Sequence, residues 1–178
     1  MNAGRRPILF VDVDGVISLF GFDDAHRPEG KFHLVDGLHH YIGATAGERL
    51  TRLAEVFELV WATGWEHRAN EHLPSLLDLP GKELPTITFD EQPMWGTVHW
   101  KVSAIDRYAA DRPAAWIDDS LDERAEEWAT NRQAPTLLVP TESAIGITDE
   151  QVQRLLSWAQ DFEPSPPQPP RAAPNSSK

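Results

Sequence analysis

Four places in the chain carry side chains whose types and spacing can do chemistry. The run Ile8-Leu9-Phe10-Val11 ends in Asp12-Val13-Asp14-Gly15, two carboxylates two residues apart followed by glycine. A second apolar run ends in Thr63-Gly64, and a third ends in Asp118-Asp119. Lys101 stands alone between the last two. An unpaired buried carboxylate is very costly, so acids at the ends of buried runs need a partner. Hard oxygen ligands of this kind suit Mg²⁺. A carboxylate can attack phosphorus and form an aspartyl phosphate, and a metal ion can offset its repulsion for the anionic phosphate. A second carboxylate can protonate the leaving oxygen and later activate water. Thr63 and the Gly64 amide can bind phosphoryl oxygens, and Lys101 can offset the charge shared by nucleophile and phosphate. The set amounts to a Mg²⁺ site beside a phosphate site.

These groups meet only if the elements that carry them share one edge. The pattern alternates strand and helix. Strands are expected at Pro7 to Val13, Glu58 to Ala62, Leu84 to Phe89, Ala114 to Ile117 and Thr136 to Val139. Helices are expected at Gly47 to Phe57, His67 to Leu77, Val98 to Ala110 and Leu121 to Arg132. Pro74 should kink or end the second of these. Thr148-x-x-Gln151 reads as a capping box opening a helix that runs to about Phe162. Such alternation implies an α/β fold: a three-layer α/β/α Rossmann-like domain around a parallel sheet of about five strands. In open parallel sheets ligands bind at the C-terminal ends of the strands, which places Asp12, Asp14, Thr63, Asp118 and Asp119 at one mouth.

Residues 1–162 are expected to form the catalytic domain. Within them, residues 17–46 break the alternation with several glycines and with His26, His33, His39 and His40. This insert is expected to be a short flap over the site, with no large cap. Residues 163–178 hold six prolines among Ser, Gln and Asn, the composition of a disordered tail.

Composition excludes several classes. The chain of 178 residues has no cysteine, which removes thiolate catalysis, zinc–thiolate sites and disulfides. A formal net charge of -12 argues against stable binding of long nucleic acid, which needs a basic face. Arg68, Lys101 and Arg107 leave room for a local basic patch. No apolar stretch reaches membrane-spanning length. Asp12 interrupts the run behind Arg5-Arg6 too early for an export signal, so a cytoplasmic location is expected.

The motifs, in this order, resemble those of the haloacid dehalogenase (HAD) superfamily of hydrolases. Ile8 to Ile17 resembles the first motif, Leu59 to Trp65 the second, Lys101 the third, and Trp116 to Ser120 the fourth. The resemblance implies a phosphatase in which Asp12 is the nucleophile and Asp14 the general acid/base. It implies that Mg²⁺ is held by Asp12, the Asp14 backbone carbonyl and an acid of the fourth motif. Asp119 is the first choice there, with Asp118 orienting Lys101 or a metal-bound water. More narrowly, Trp61 to His67 and Trp116 to Asp119 look like the small HAD domains associated with RNA-repair proteins. That implies a phosphorylated small molecule or nucleic-acid end as substrate. Gly64, Trp65 and His67 are then candidate substrate contacts, and Trp65, Trp95 or Trp100 can stack on a base. The alternatives are a receiver-like signalling domain and a catalytically silent phosphate-binding module. In receivers the phosphorylated aspartate follows the third strand and the lysine follows the fifth. Here the third strand ends at Phe89-Asp90 and the last apolar strand leads to Pro140 with no lysine, an order that favours the hydrolase.

Overall fold

The computed structural model describes residues 6–79, 81, 83–90, 93–94 and 96–162. The proline-rich segment 163–178 and Trp95 lie outside the described residues. In chain order the strands are β1 (Ile8–Val11), β2 (Ser18–Leu19), β3 (Gly30–Val35), β4 (Leu38–Gly43), β5 (Glu58–Trp61), β6 (Ala114–Asp118) and β7 (Thr136–Pro140). The helices are α1 (Ala46–Ala54), α2 (Arg68–Leu76), α3 (His99–Ala109), α4 (Glu123–Asn131) and α5 (Asp149–Ala159).

β1 lies between β5 and β6 in a four-stranded parallel sheet of order β5-β1-β6-β7. Every residue of β1 is buried, as a strand covered on both faces must be. Side-chain alternation divides the core in two. Leu9 and Val11 face a cluster with Leu50 and Leu53 of α1, Leu73 of α2 and Leu155 of α5. Ile8 and Phe10 face the opposite cluster, with Ile105 of α3 and Trp128 of α4. The result is the three-layer α/β/α sandwich that the alternation implies.

The sheet has four strands where five were expected. Residues 84–89 meet β5 through a single parallel bridge, Trp61 to Thr86. Pro85 has no N–H to give, so pairing there is limited to the Pro85 carbonyl and the Ile87 N–H. Pro74 falls in the last turn of α2 and does not end it early. The Thr148–Gln151 capping box is present at the start of α5.

The insert forms a second sheet, antiparallel, in the order β2-β4-β3. Asp36 and Gly37 join β3 to β4 with φ of 49° and 81°. Two successive positive φ values define the tight turn whose twist matches a hairpin, and Asp-Gly suits it. The Asp36 carboxylate reaches Arg68 at 3.4 Å and His72 at 3.2 Å on α2, which ties the hairpin tip to the main domain. Among the described residues no helix is long and apolar enough to cross a membrane.

Candidate active site

The parallel strands deliver their polar ends to one cleft of about 550 Å³. Asp12 follows β1 directly, and its backbone N–H donates to Ile117 O of β6 at 3.1 Å. Asp118 is the last residue of β6 and is wholly buried. Lys101 enters from the first turn of α3, also buried. Its Nζ lies 2.7 Å from Asp118 Oδ2 and 3.1 Å from Asp12 Oδ2. Asp12, Asp118 and Asp119 each offer a carboxylate oxygen within 4.8 Å of the others.

The two acids of the fourth motif differ in what they touch. Asp118 Oδ2 also accepts from Trp116 Nε1 (3.2 Å), and its Oδ1 accepts from the Ser120 N–H (3.0 Å). Its carboxylate is thus spent on fixing Lys101 and the turn. Asp119 is half-buried and accepts from two hydroxyls, Ser120 Oγ at 3.0 Å and Ser143 Oγ at 2.6 Å. It keeps capacity for a cation. Gly15 makes room for it: a Cβ there would lie 2.0 Å from Asp119 Oδ2, and the φ of +74° is itself a glycine conformation.

Asp14 stands apart from this group. Its carboxylate turns to Trp65 Nε1, which donates to Oδ2 at 2.9 Å, and to His40 Nδ1, 3.8 Å from Oδ1. The side chain of Asp14 is therefore no member of the three-carboxylate cluster. Burial raises its carboxyl above the ordinary range, with the Trp65 bond and His40 working against that shift. Burial also pushes the Asp12 carboxyl up to about 8, with Lys101 pulling it down and Asp118 pushing it further up. One lysine between two buried carboxylates leaves charge uncompensated. A divalent cation on oxygen ligands is the species this donor set fits.

The other expected contacts are placed less simply. Thr63 is buried and is not among the residues that line the cleft; its hydroxyl accepts the Trp65 backbone N–H at 3.3 Å and closes the turn after β5. Gly64 lines the cleft, yet a Cβ there would make only ordinary contacts with Pro93 and Trp100. Trp65 lines it too, but only 9% of it is exposed and its indole N–H is taken by Asp14. His67 is exposed at the N-cap of α2 and is not among the residues that line the cleft. Trp100 is buried, with its N–H on Thr97 O and its ring 5.1 Å from Lys101 Nζ. Neither Trp65 nor Trp100 offers a free face for a base. Among the described residues, Phe20, Leu38, Pro93 and Met94 are exposed apolar side chains that line the cleft. His40 and Ser143, which sequence reasoning left out of the site, are part of it.

Asp122 bonds the residues that open the helix carrying Lys101. The Oδ1 of Asp122 caps α4 by accepting from the Arg124 and Ala125 N–H groups. Its Oδ2 accepts from Thr97 Oγ1 and the Val98 N–H, at the start of α3. One carboxylate thus sets both helices. The cap lies at Asp122, not at Asp119 or Ser120, whose polar groups are used in the site. A larger groove of about 880 Å³ between α3 and α4 lies away from these carboxylates.

With this geometry in view, the comparisons are specific. A family model described as the HAD domain in Swiss Army Knife RNA repair proteins matches residues 8–152. The chain belongs to that family and carries a HAD domain. No curated protein matches it. Among solved structures it is similar to the crystal structure of a hypothetical protein from Xanthomonas campestris. That match covers 90% of this chain and 86% of the other, at 14% identity and a TM-score of 0.45. So distant a likeness adds nothing to the functional reading.

Proposed function

We propose that the protein is a Mg²⁺-dependent phosphomonoesterase that carries the phosphoryl group on Asp12 between two half-reactions. The observation that supports this most is Lys101, shared between Asp12 and Asp118 beside a separately held Asp14. Asp12, Asp119 and the Asp14 backbone carbonyl would hold Mg²⁺, with Asp118 behind them. When bound, the ion offsets the charge of nucleophile and phosphate and polarises the phosphoryl oxygens.

The residues then have distinct work. An Asp12 oxygen attacks phosphorus as the bond to the leaving oxygen breaks. Asp14, whose burial favours the protonated form, gives its proton to that oxygen. Water then attacks the aspartyl phosphate, Asp14 takes its proton, and the bond from phosphorus to Asp12 breaks to release inorganic phosphate. Lys101 keeps its charge and steadies the carboxylates throughout. The Gly64 backbone borders the space for the phosphate.

The family description places such domains in RNA repair proteins, which supports a phosphorylated nucleotide or nucleic-acid end as substrate. The acidic balance of the chain fits recognition of an end rather than of a long polyanion. Phe20, Leu38, Pro93 and Met94 are apolar side chains available to a base beside the phosphate.

The test is phosphate release from nucleotides, 3′- and 5′-phosphorylated oligonucleotides, sugar phosphates and phosphopeptides, with Mg²⁺ or with EDTA. Mg²⁺-dependent release, favouring nucleotide or oligonucleotide ends, is expected. Release from none of them contradicts the proposal and leaves a phosphate-binding module.

A further inference from the structure

Asp14 is gripped by a chain of side chains that the reaction as described does not use. Trp65 Nε1 donates to Asp14 Oδ2 at 2.9 Å. The Trp65 ring is met edge-on by His40, with centroids 4.5 Å apart. His40 Nδ1 is 3.0 Å from Ser18 Oγ and 3.8 Å from Asp14 Oδ1. Ser18 is buried and lies on β2, and His40 lies on β4, so the insert itself reaches the carboxylate.

This grip is stiff. Trp65 belongs to the main core cluster that includes Ala69 and Leu73, and its backbone is tied to Thr63 Oγ1. A side chain locked by packing makes a better support than one on a mobile loop. With Oδ2 occupied by the indole N–H, Oδ1 is the oxygen left to carry a proton. Proton transfer needs that oxygen within hydrogen-bond reach of the leaving group.

We propose that Trp65, braced by His40 of the insert, is a positioning residue that fixes Asp14 so that Oδ1 delivers the proton to the leaving oxygen. This rests on the phosphatase reading above. It gives the insert a part in the chemistry beyond covering the cleft.

Leaving-group dependence tests it. An activated aryl phosphate expels its leaving group with little help, whereas a nucleoside 5′-phosphate needs the proton. The ratio kcat/KM reports steps up to departure of that group, so the later attack by water does not enter. Trp65→Phe keeps the ring packing and removes the N–H. Its kcat/KM should fall about tenfold further on the nucleoside phosphate than on the aryl phosphate. His40→Phe keeps the edge contact and should show the same bias to a smaller degree, which decides the matter if Trp65→Phe does not fold. Equal losses on both substrates, or none, overturn the positioning role. If the wild-type protein with Mg²⁺ turns over neither substrate, the phosphatase reading falls and takes this inference with it.

Discussion

Lys101 Nζ lies 2.7 Å from Asp118 Oδ2, with both side chains closed to solvent. The same nitrogen is 3.1 Å from Asp12, so one buried cation answers two buried carboxylates. Removing one partner of such a pair strands the other, which typically costs about 3–5 kcal/mol. The shortfall of positive charge governs how the protein responds to pH and to metal.

Without metal, stability should fall as pH rises. The folded protein keeps the Asp12 proton to about 8, against 3.8 for an ordinary aspartate. Between those values the folded state binds more protons than the unfolded chain, so each step up in pH favours unfolding. Asp14, also raised, adds in the same direction. Asp122 and Asp149, both lowered, act below this window. Melting temperatures in EDTA should therefore decline from about pH 5 to about pH 8, and Asp12→Asn should flatten the decline. A wild-type profile as flat as that of the variant contradicts this account. Mg²⁺ should raise Tm more at the upper end, since it binds the carboxylate form.

Gly15→Ala should damage the metal site from outside it. The new Cβ would meet Asp119 Oδ2 at 2.0 Å, and φ is +74°. The left-handed backbone alone costs a residue with a Cβ about 1–2 kcal/mol. The variant should melt lower and lose the rise in Tm that Mg²⁺ gives the wild type. A Mg²⁺ response equal to that of the wild type counts against Asp119 as a ligand.

Much of this arrangement is legible in the chain because acids that end apolar runs have few physical explanations. Asp12 and Asp118 finish strands of a parallel sheet, and the sheet brings their ends together. Periodicity carries no side-chain direction through a loop, so Trp65 reads as a candidate for base stacking or for packing, and it is buried against Asp14. His67 follows close behind, exposed at the N-cap of α2 and outside the cleft lining. His40 reaches the site only through the register of the hairpin, and its signal was the Asp36-Gly37 turn. Residues 84–89 have β-rich composition, but Pro85 and a lone bridge keep them from becoming a fifth strand. Asp122 gives no sign of its second task, because its contact with Thr97 spans two helix starts.

Asp122→Ala should cost more than an ordinary cap. The loss removes the α4 cap and both bonds to Thr97 and Val98. A cap alone is worth about 1 kcal/mol, so a loss of about 2 kcal/mol in denaturant unfolding is expected. Turnover should fall as well, because the start of α3 carries Lys101. Full wild-type stability would show that the Thr97 contact contributes nothing.

The most direct measurement of the central claim is to trap the covalent intermediate. Protein turning over a phosphomonoester with Mg²⁺ is quenched in acid, digested and mapped by mass spectrometry. A phosphoryl group on Asp12, absent in Asp12→Asn, is the predicted result, with turnover by that variant more than about tenfold below wild type. A phosphoryl group on another residue, or Asp12→Asn turnover within about tenfold of wild type, would contradict the account.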